Sequence, residues 1–87
     1  MALDITMLTG FCPVQGEGSF DGTPFYFRAR GTGWSLWLGK AFNPNDLIAQ
    51  HKDPDRGEFW AGHMPLDEAR SLIEAAYAEH CAGQGTA

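Results

Sequence analysis

The chain has 87 residues, enough for one domain and too few for a large hydrophobic core. Six basic against eleven acidic residues give a formal net charge of −5, which argues against a protein that wraps DNA or RNA through non-specific phosphate contacts. Aromatic residues make up 13% of the chain, so a small sheet can fill its core with rings.

No stretch of the sequence predicts a membrane span or a secretion signal. Met1–Thr9 is too short and lacks the basic start of a signal peptide, and no apolar run reaches the roughly 18 residues that cross a bilayer. The only cysteines are Cys12 and Cys81, too few for a disulfide framework. We expect two independent reduced thiols, with a disulfide within or between chains as the alternative. These features predict a cytoplasmic protein.

The first third of the chain is typical of a β-hairpin. Residues 1–10 alternate weakly and predict a short strand or an ordered arm. Residues 12–20 and 23–30 alternate clearly, and Asp21-Gly22 between them is the residue pair of a type I′ turn. With that turn the predicted cross-strand pairs are Phe20 with Thr23, Gly18 with Phe25, Gly16 with Phe27, and Val14 with Ala29. Both apolar sets then lie on one face, and the glycines leave room for the Phe rings.

A second tight turn at Gly31-Thr32 predicts a third strand over 33–39. The pairs that this turn predicts are Ala29 with Trp34, Phe27 with Leu36, and Phe25 with Leu38. The apolar face agrees across both turns, so residues 12–39 are predicted to form a three-stranded antiparallel meander.

The segment that follows, 40–57, leaves several interpretations open. Residues 43–46 favour a turn or the start of a helix, and residues 47–52 favour one helical turn or a strand. Residues 53–57 contain a strong turn signal, and the alternation that follows it predicts another strand. Our preferred interpretation is a hairpin of 47–52 with 58–62.

The last segment predicts an amphipathic helix. Pro65 suits its first turn, and Asp67 and Glu68 are favoured near its N-terminus by the helix dipole. Apolar or aromatic positions recur at helical spacing: Leu66, Ala69, Leu72, Ile73, Ala76, Tyr77 and His80. Gly83 is a suitable end for the helix, which leaves 83–87 as a flexible tail.

Together these elements predict the α+β class. The expected architecture is one domain over residues 1–87, with an antiparallel β-meander of four or five strands and one C-terminal helix on one face of the sheet. Neither an internal repeat nor a linker interrupts it.

The face of the meander opposite the core is the strongest candidate for function. It carries Gln15, Glu17, Tyr26, Arg28, Arg30, Ser35 and Trp37. Tyr, Trp and Arg are enriched at binding hot spots, so the pattern predicts a protein-binding face, with single-stranded nucleic acid stacked on the same face as an alternative. A third interpretation is that residues 40–57 fold over this face and make a second core, with Arg28 and Glu17 as an internal ion pair.

The polar side of the helix is acidic, and its carboxylates are Asp67, Glu68, Glu74 and Glu79. They form either a solvated surface or a patch that meets Lys or Arg on a partner. The residues predicted to bind a partner protein are therefore Tyr26, Arg28, Arg30, Trp37, Glu17, Glu68 and Glu74.

Patterns for catalysis, metals and nucleotides are weak. The residues that might bind metal or form a Cys–His pair are His51, His63, His80, Cys12 and Cys81. They lack the close paired spacing of a zinc site. Gly16-Glu17-Gly18 lies inside an alternating strand and no helix follows it, so it does not fit a phosphate loop. We expect a non-enzymatic protein without a metal or cofactor.

Two stretches, 12–39 and 58–76, resemble a family of short uncharacterised bacterial and prophage proteins. The resemblance rests on the run from Cys12 to Gly31, on Trp34-Ser35, and on the later segments Ala61–Pro65, Glu68–Arg70 and Ile73-Glu74. It implies a bacterial or phage genome context and no particular activity.

That context, with the small size and acidity of the chain, predicts an inhibitor of host defence. We expect an anti-CRISPR type of protein that sterically blocks a CRISPR-Cas surveillance complex inside the bacterial cell. The alternatives are a single-stranded nucleic-acid-binding sheet and a small accessory subunit of a bacterial complex. A protein partner is expected, nucleic acid and membrane are not, and the sequence leaves monomer and dimer equally open.

Overall fold

The computed structural model describes residues 2–85, and of these the side chains up to Ala82. The regular elements are β1 (Leu3–Thr9), β2 (Val14–Phe20), β3 (Thr23–Arg30), β4 (Gly33–Leu38), β5 (Leu47–Lys52) and α1 (Leu66–Gly85). The strands form one sheet in the order β1-β2-β3-β4-β5, and each is antiparallel to its neighbour. The α+β class, the antiparallel meander and the C-terminal helix are therefore confirmed.

The central hairpin has the predicted register. Asp21 and Gly22 have φ angles of +51° and +91°, because a type I′ turn needs a left-handed backbone at both positions. The pairs Phe20–Thr23, Gly18–Phe25, Gly16–Phe27 and Val14–Ala29 are all present, as are Ala29–Trp34, Phe27–Leu36 and Phe25–Leu38 on the next strand. Turn chemistry and alternation were sufficient to determine these pairings.

The first strand joins the free edge of β2. Its register shifts between Ile5 and Met7, where one extra residue forms a bulge. The weak alternation of residues 1–10 thus belongs to a strand, one of the two possibilities left open by the sequence.

The predicted hairpin of 47–52 with 58–62 is wrong. Strand β5 pairs instead with the free edge of β4, and residues 58–63 form a turn followed by a 3-10 helix at Ala61–His63. This segment finds its hydrogen bonds at the β3–β4 turn. The Trp60 indole donates to the Thr32 carbonyl at 2.9 Å, and the Ala61 amide donates to the Gly31 carbonyl at 3.0 Å.

The core lies between the sheet and α1. Its buried apolar residues are Val14, Phe20, Phe25, Phe27, Ala29, Leu36, Ala61, Met64, Ala69, Ile73 and Ala76. Of the predicted helix stripe, Ala69, Ile73 and Ala76 are buried, whereas Leu66 in the first turn is 43% exposed. The buried stripe therefore begins one turn later than predicted.

Helix α1 is assigned over Leu66–Gly85, and the predicted end at Gly83 stays a prediction. The predicted flexible tail at 83–87 reaches Thr86 and Ala87, which lie outside the described residues, and it stays a prediction. Within residues 2–85, no helix has the length and apolar character needed to cross a membrane.

Candidate binding face of the sheet

The side of the sheet that faces away from α1, called the open face below, carries an aromatic cluster of Tyr26, Trp37 and Phe42. Tyr26 and Trp37 are cross-strand neighbours on β3 and β4, and their rings stack with centroids 5.9 Å apart. Phe42 lies against both, at 5.7 Å from Tyr26 and 5.0 Å from Trp37. Phe42 is 59% exposed, while the other two rings are half-buried, so one ring of the cluster is accessible at the surface.

The loop between β4 and β5 holds Phe42 in this position. The Gly39 amide donates to the Pro24 carbonyl at 2.7 Å, and the Asp46 carboxylate accepts from the Lys40 amide at 2.8 Å. Phe42 itself has a φ of +66°, a left-handed conformation that costs a bulky residue on the order of 1–3 kcal/mol. Phe42 was not among the predicted site residues, because nothing in the neighbouring sequence indicates that the loop bends onto the sheet.

The interpretation of a second core under 40–57 holds only at Phe42, which packs on Tyr26 and Trp37 and covers part of the open face. Residues 47–52 extend the sheet as β5 and do not fold over it. Arg28 lies near the Phe42 ring, 5.6 Å from its centroid, and among the described residues it forms no ion pair with Glu17. The open face therefore stays largely accessible.

A cleft of about 450 Å³, called the basic cleft below, lies beside the aromatic cluster. Its cations are Arg28, Arg30 and Lys52, which are three of the six basic residues in the chain. No carboxylate lines the cleft, and within residues 2–85 none of the three cations is in an ion pair. A chain with a net charge of −5 thus concentrates positive charge on one surface.

The predicted partner-binding residues fall on two surfaces. Tyr26, Arg28, Arg30 and Trp37 share the open face, and Glu17 lies opposite Tyr26 on β2. Tyr26 also donates its hydroxyl to the Gln15 amide oxygen at 2.8 Å, which fixes its ring.

Glu68 and Glu74 lie on α1, on the other side of the sheet. Glu68 is 3.4 Å from Arg56 in an ion pair, whereas Glu74 is exposed. The helix covers the core face, so its acidic side chains cannot join the aromatic cluster in one continuous site.

Among the carboxyl groups of residues 2–85, a shifted pKa is found at Asp21. Its carboxylate accepts hydrogen bonds from the Ala2 amide at 2.6 Å and from the Tyr77 hydroxyl at 2.8 Å. Both hydrogen bonds hold the pKa of Asp21 below its ordinary value, and the bond from Ala2 has the larger effect. The group ties the start of the chain and α1 to the β2–β3 turn, a structural role.

Metal-ligating residues do not converge in the described part of the chain: no group of three or more His, Cys, Asp and Glu is found there. One pair does meet. Cys12 Sγ lies 3.6 Å from His63 Nε2 across 51 positions of sequence, a contact that the spacing of these residues did not reveal.

Comparison with protein-family models, with curated proteins and with solved structures gave no match. The resemblance of 12–39 and 58–76 to bacterial and prophage proteins therefore stays a prediction. The protein is an α+β domain with a five-stranded meander. Its open face carries the aromatic cluster and the basic cleft.

Proposed function

We propose that this protein is a non-enzymatic protein-binding domain and that its partner lies on the open face. The observation that carries the proposal is the exposed aromatic cluster beside an uncompensated basic cleft. Aromatic rings and Arg supply most of the binding energy in protein interfaces when they are desolvated together. The partner surface is then expected to be apolar at its centre and acidic toward the basic cleft.

The finer proposal is a phage-derived inhibitor of the anti-CRISPR type that acts sterically. Its support is the small size and acidity of the chain. Glu68 and Glu74 on α1 would contact the same partner only if the domain sat inside a cleft of that partner. A nucleic-acid-binding channel lined by Lys and Arg is such a cleft. The acidic side chains of α1 would form ion pairs with the cations that otherwise bind the nucleic acid.

The test is affinity capture with matched Phe variants. Phe42→Ala removes the exposed ring of the cluster, and Phe59→Ala removes a ring of similar exposure, 62% against 59%, outside the cluster. Wild type and Phe59→Ala should retain the same protein from a lysate containing CRISPR effector complexes and phage proteins, read by mass spectrometry. Phe42→Ala and Trp37→Ala should weaken its affinity by about 30-fold, as truncation of a hot spot does.

Thermal unfolding of each variant separates binding from folding. Phe42→Ala and Trp37→Ala are expected to unfold near the wild-type temperature because neither ring is in the main core. Equal retention by all four proteins would contradict the proposal, and so would a collapse of stability in Trp37→Ala, because Trp37 would then serve the fold.

Single-stranded nucleic acid is a second candidate, favoured by the juxtaposition of Arg28, Arg30 and Lys52 with Trp37. Sheets that bind single strands combine a positive groove with rings on which bases stack. A mobility-shift assay at low salt would support this candidate if the shift weakened with added salt and disappeared in Arg30→Glu. The absence of a shift at micromolar protein would reject it.

A further inference from the structure

Cys12 and His63 form an exposed pair at the end of the sheet near the β3–β4 turn. The Cys12 amide donates to the Gly62 carbonyl at 2.8 Å, which joins the loop before β2 to the 3-10 helix Ala61–His63. The same bond brings Cys12 Sγ to 3.6 Å from His63 Nε2. The His63 ring is also held against Phe11, with centroids 5.3 Å apart.

The approach leaves little room for a side chain at position 62. A Cβ added to Gly62 would lie 3.1 Å from Cys12 Sγ and 3.4 Å from its Cα, closer than most side-chain contacts. Cys12 also has a φ of +51°, a left-handed conformation that disfavours any residue with a side chain. Such conformations persist where surrounding structure enforces them and are concentrated at functional sites.

Cys12 lines a pocket of about 230 Å³. Its other lining residues are Arg30, Gly31, Phe59 and Gly62. Arg30 supplies a positive charge and Phe59 an aromatic surface that is 62% exposed. A small molecule that reached the sulfur in this pocket would be favoured if it were anionic and partly apolar.

Cys12 and Cys81 differ in their exposure and in the groups beside their sulfur atoms. Cys12 is exposed and has the His63 ring nitrogen within hydrogen-bond distance, whereas Cys81 is half-buried on α1, and neither is in a disulfide. Thiol reactivity depends on access and on loss of the proton, so the two thiols provide their own comparison within one chain.

From this geometry we propose that Cys12 is a thiol–disulfide exchange site for small anionic disulfides, with His63 as the base. When Nδ1 carries the ring proton, Nε2 accepts the proton of the Cys12 thiol. The sulfur then attacks one sulfur of a disulfide R–S–S–R′, the S–S bond breaks, and a Cys12–S–S–R mixed disulfide forms. The released R′S⁻ takes the proton from His63. Cys12 is oxidised, R′S is reduced, and a second thiol reverses the step.

The thiol site shares one residue, Arg30, with the surface proposed to bind a partner. The adduct would lie next to Arg30, which lines both this pocket and the basic cleft. It is a modification site, and its test needs no binding partner.

The experiment measures thiol reaction rates in single-cysteine proteins at neutral pH. Cys81→Ser leaves Cys12, and Cys12→Ser leaves Cys81. The probes are the dianionic aromatic disulfide 5,5′-dithiobis(2-nitrobenzoate) and the neutral 4,4′-dithiodipyridine, with N-acetylcysteine as the reference thiol. With the anionic probe, Cys12 should react about tenfold faster than both Cys81 and N-acetylcysteine, because its proton has an acceptor.

Two further variants in the Cys81→Ser background separate the role of His63 from that of Arg30. His63→Gln should slow reaction with both probes by about tenfold, because it removes the base. Arg30→Gln should slow the anionic probe only, because it removes the charge. Oxidised glutathione should add one mixed disulfide to Cys81→Ser, seen by intact mass, and a reducing thiol should remove it.

Two results would overturn the proposal that Cys12 is an exchange site. If Cys12 reacts no faster than N-acetylcysteine, or if His63→Gln leaves both rates unchanged while thermal unfolding shows an intact fold, the proposal is overturned. A denatured-protein control, in which Cys12 and Cys81 should react at similar rates, shows that any difference comes from the fold.

Discussion

The two glycines in the middle of β2 face different neighbours. A Cβ on Gly18 would collide with the backbone carbonyl of Asp4 and come within 2.8 Å of the Phe25 ring. A Cβ on Gly16 would come closest to the ends of two flexible side chains, Ile73 at 3.1 Å and Leu8 at 3.2 Å, and would lie at an ordinary contact distance of 3.6 Å from the Met7 carbonyl oxygen. Backbone and a buried ring cannot move away as a methyl group can, so the two positions should differ in tolerance.

We predict that Gly18→Ala destabilises the fold by about 3 kcal/mol and Gly16→Ala by about 1 kcal/mol. Both replace glycine with alanine in one strand, so their intrinsic strand propensities cancel and the difference reports on the contacts. Urea denaturation of the two variants measures it. Equal losses of stability would show that β1 does not lie against Gly18 as described.

Asp21 predicts a pH dependence. Hydrogen bonds from Ala2 and Tyr77 lower its pKa in the folded state. A lowered folded pKa gives stability that is present above the unfolded value of about 3.9 and is lost as pH falls through the folded value.

Asp21→Asn keeps a residue that suits a type I′ turn and removes the charge. Wild type should therefore unfold at a higher temperature than Asp21→Asn at neutral pH, and the gap should narrow below about pH 4. Thermal unfolding across that range is the measurement. A gap that stayed constant down to pH 2 would mean that the Asp21 charge contributes nothing.

At the scale of elements, the two edge strands are not equivalent. β1 is covered by α1, whereas β5 pairs only with β4, and an open groove of about 680 Å³ separates it from the helix. The groove is lined by residues from both sides, among them Ile48 and His51 on β5 and Leu72 on α1. Separation of β5 from the sheet would therefore break fewer apolar contacts than separation of β1.

We predict that backbone amides of β5 exchange with solvent faster than those of β1, and that β2 and β3 exchange most slowly. Local opening follows how few buried contacts an element must break. Native-state hydrogen exchange measures the order, and comparing bonded amides in the two edge strands controls for edge position. Amide exchange in β5 as slow as in β3 would contradict this predicted order.

At the scale of the whole molecule, net charge and local charge differ in sign. The chain carries −5, yet Arg28, Arg30 and Lys52 line one cleft without a carboxylate among its lining residues. Acidic side chains of α1 lie on the opposite side of the sheet. The basic cleft is therefore locally positive although the chain as a whole is negative, and net charge alone does not describe this surface.

The registers of β2, β3 and β4 could be predicted from the sequence alone. Each pairing depends on a two-residue turn between alternating segments, so the information lies within a few residues of the turn. The buried positions of α1 could be predicted for the same reason, because helical periodicity is local. Leu66 in the first turn is the exception, since it is exposed. Tyr26 beside Trp37 followed directly from register.

Other features depended on tertiary structure. The partner of β5, the position of Phe42, the separation of Glu68 and Glu74 from the aromatic cluster, and the Cys12–His63 contact were all decided there. Each depends on which edge or face stays free after the central hairpin and the helix have formed. Periodicity along a chain carries no record of that choice, because it shows which side of an element is apolar and not what arrives to cover it.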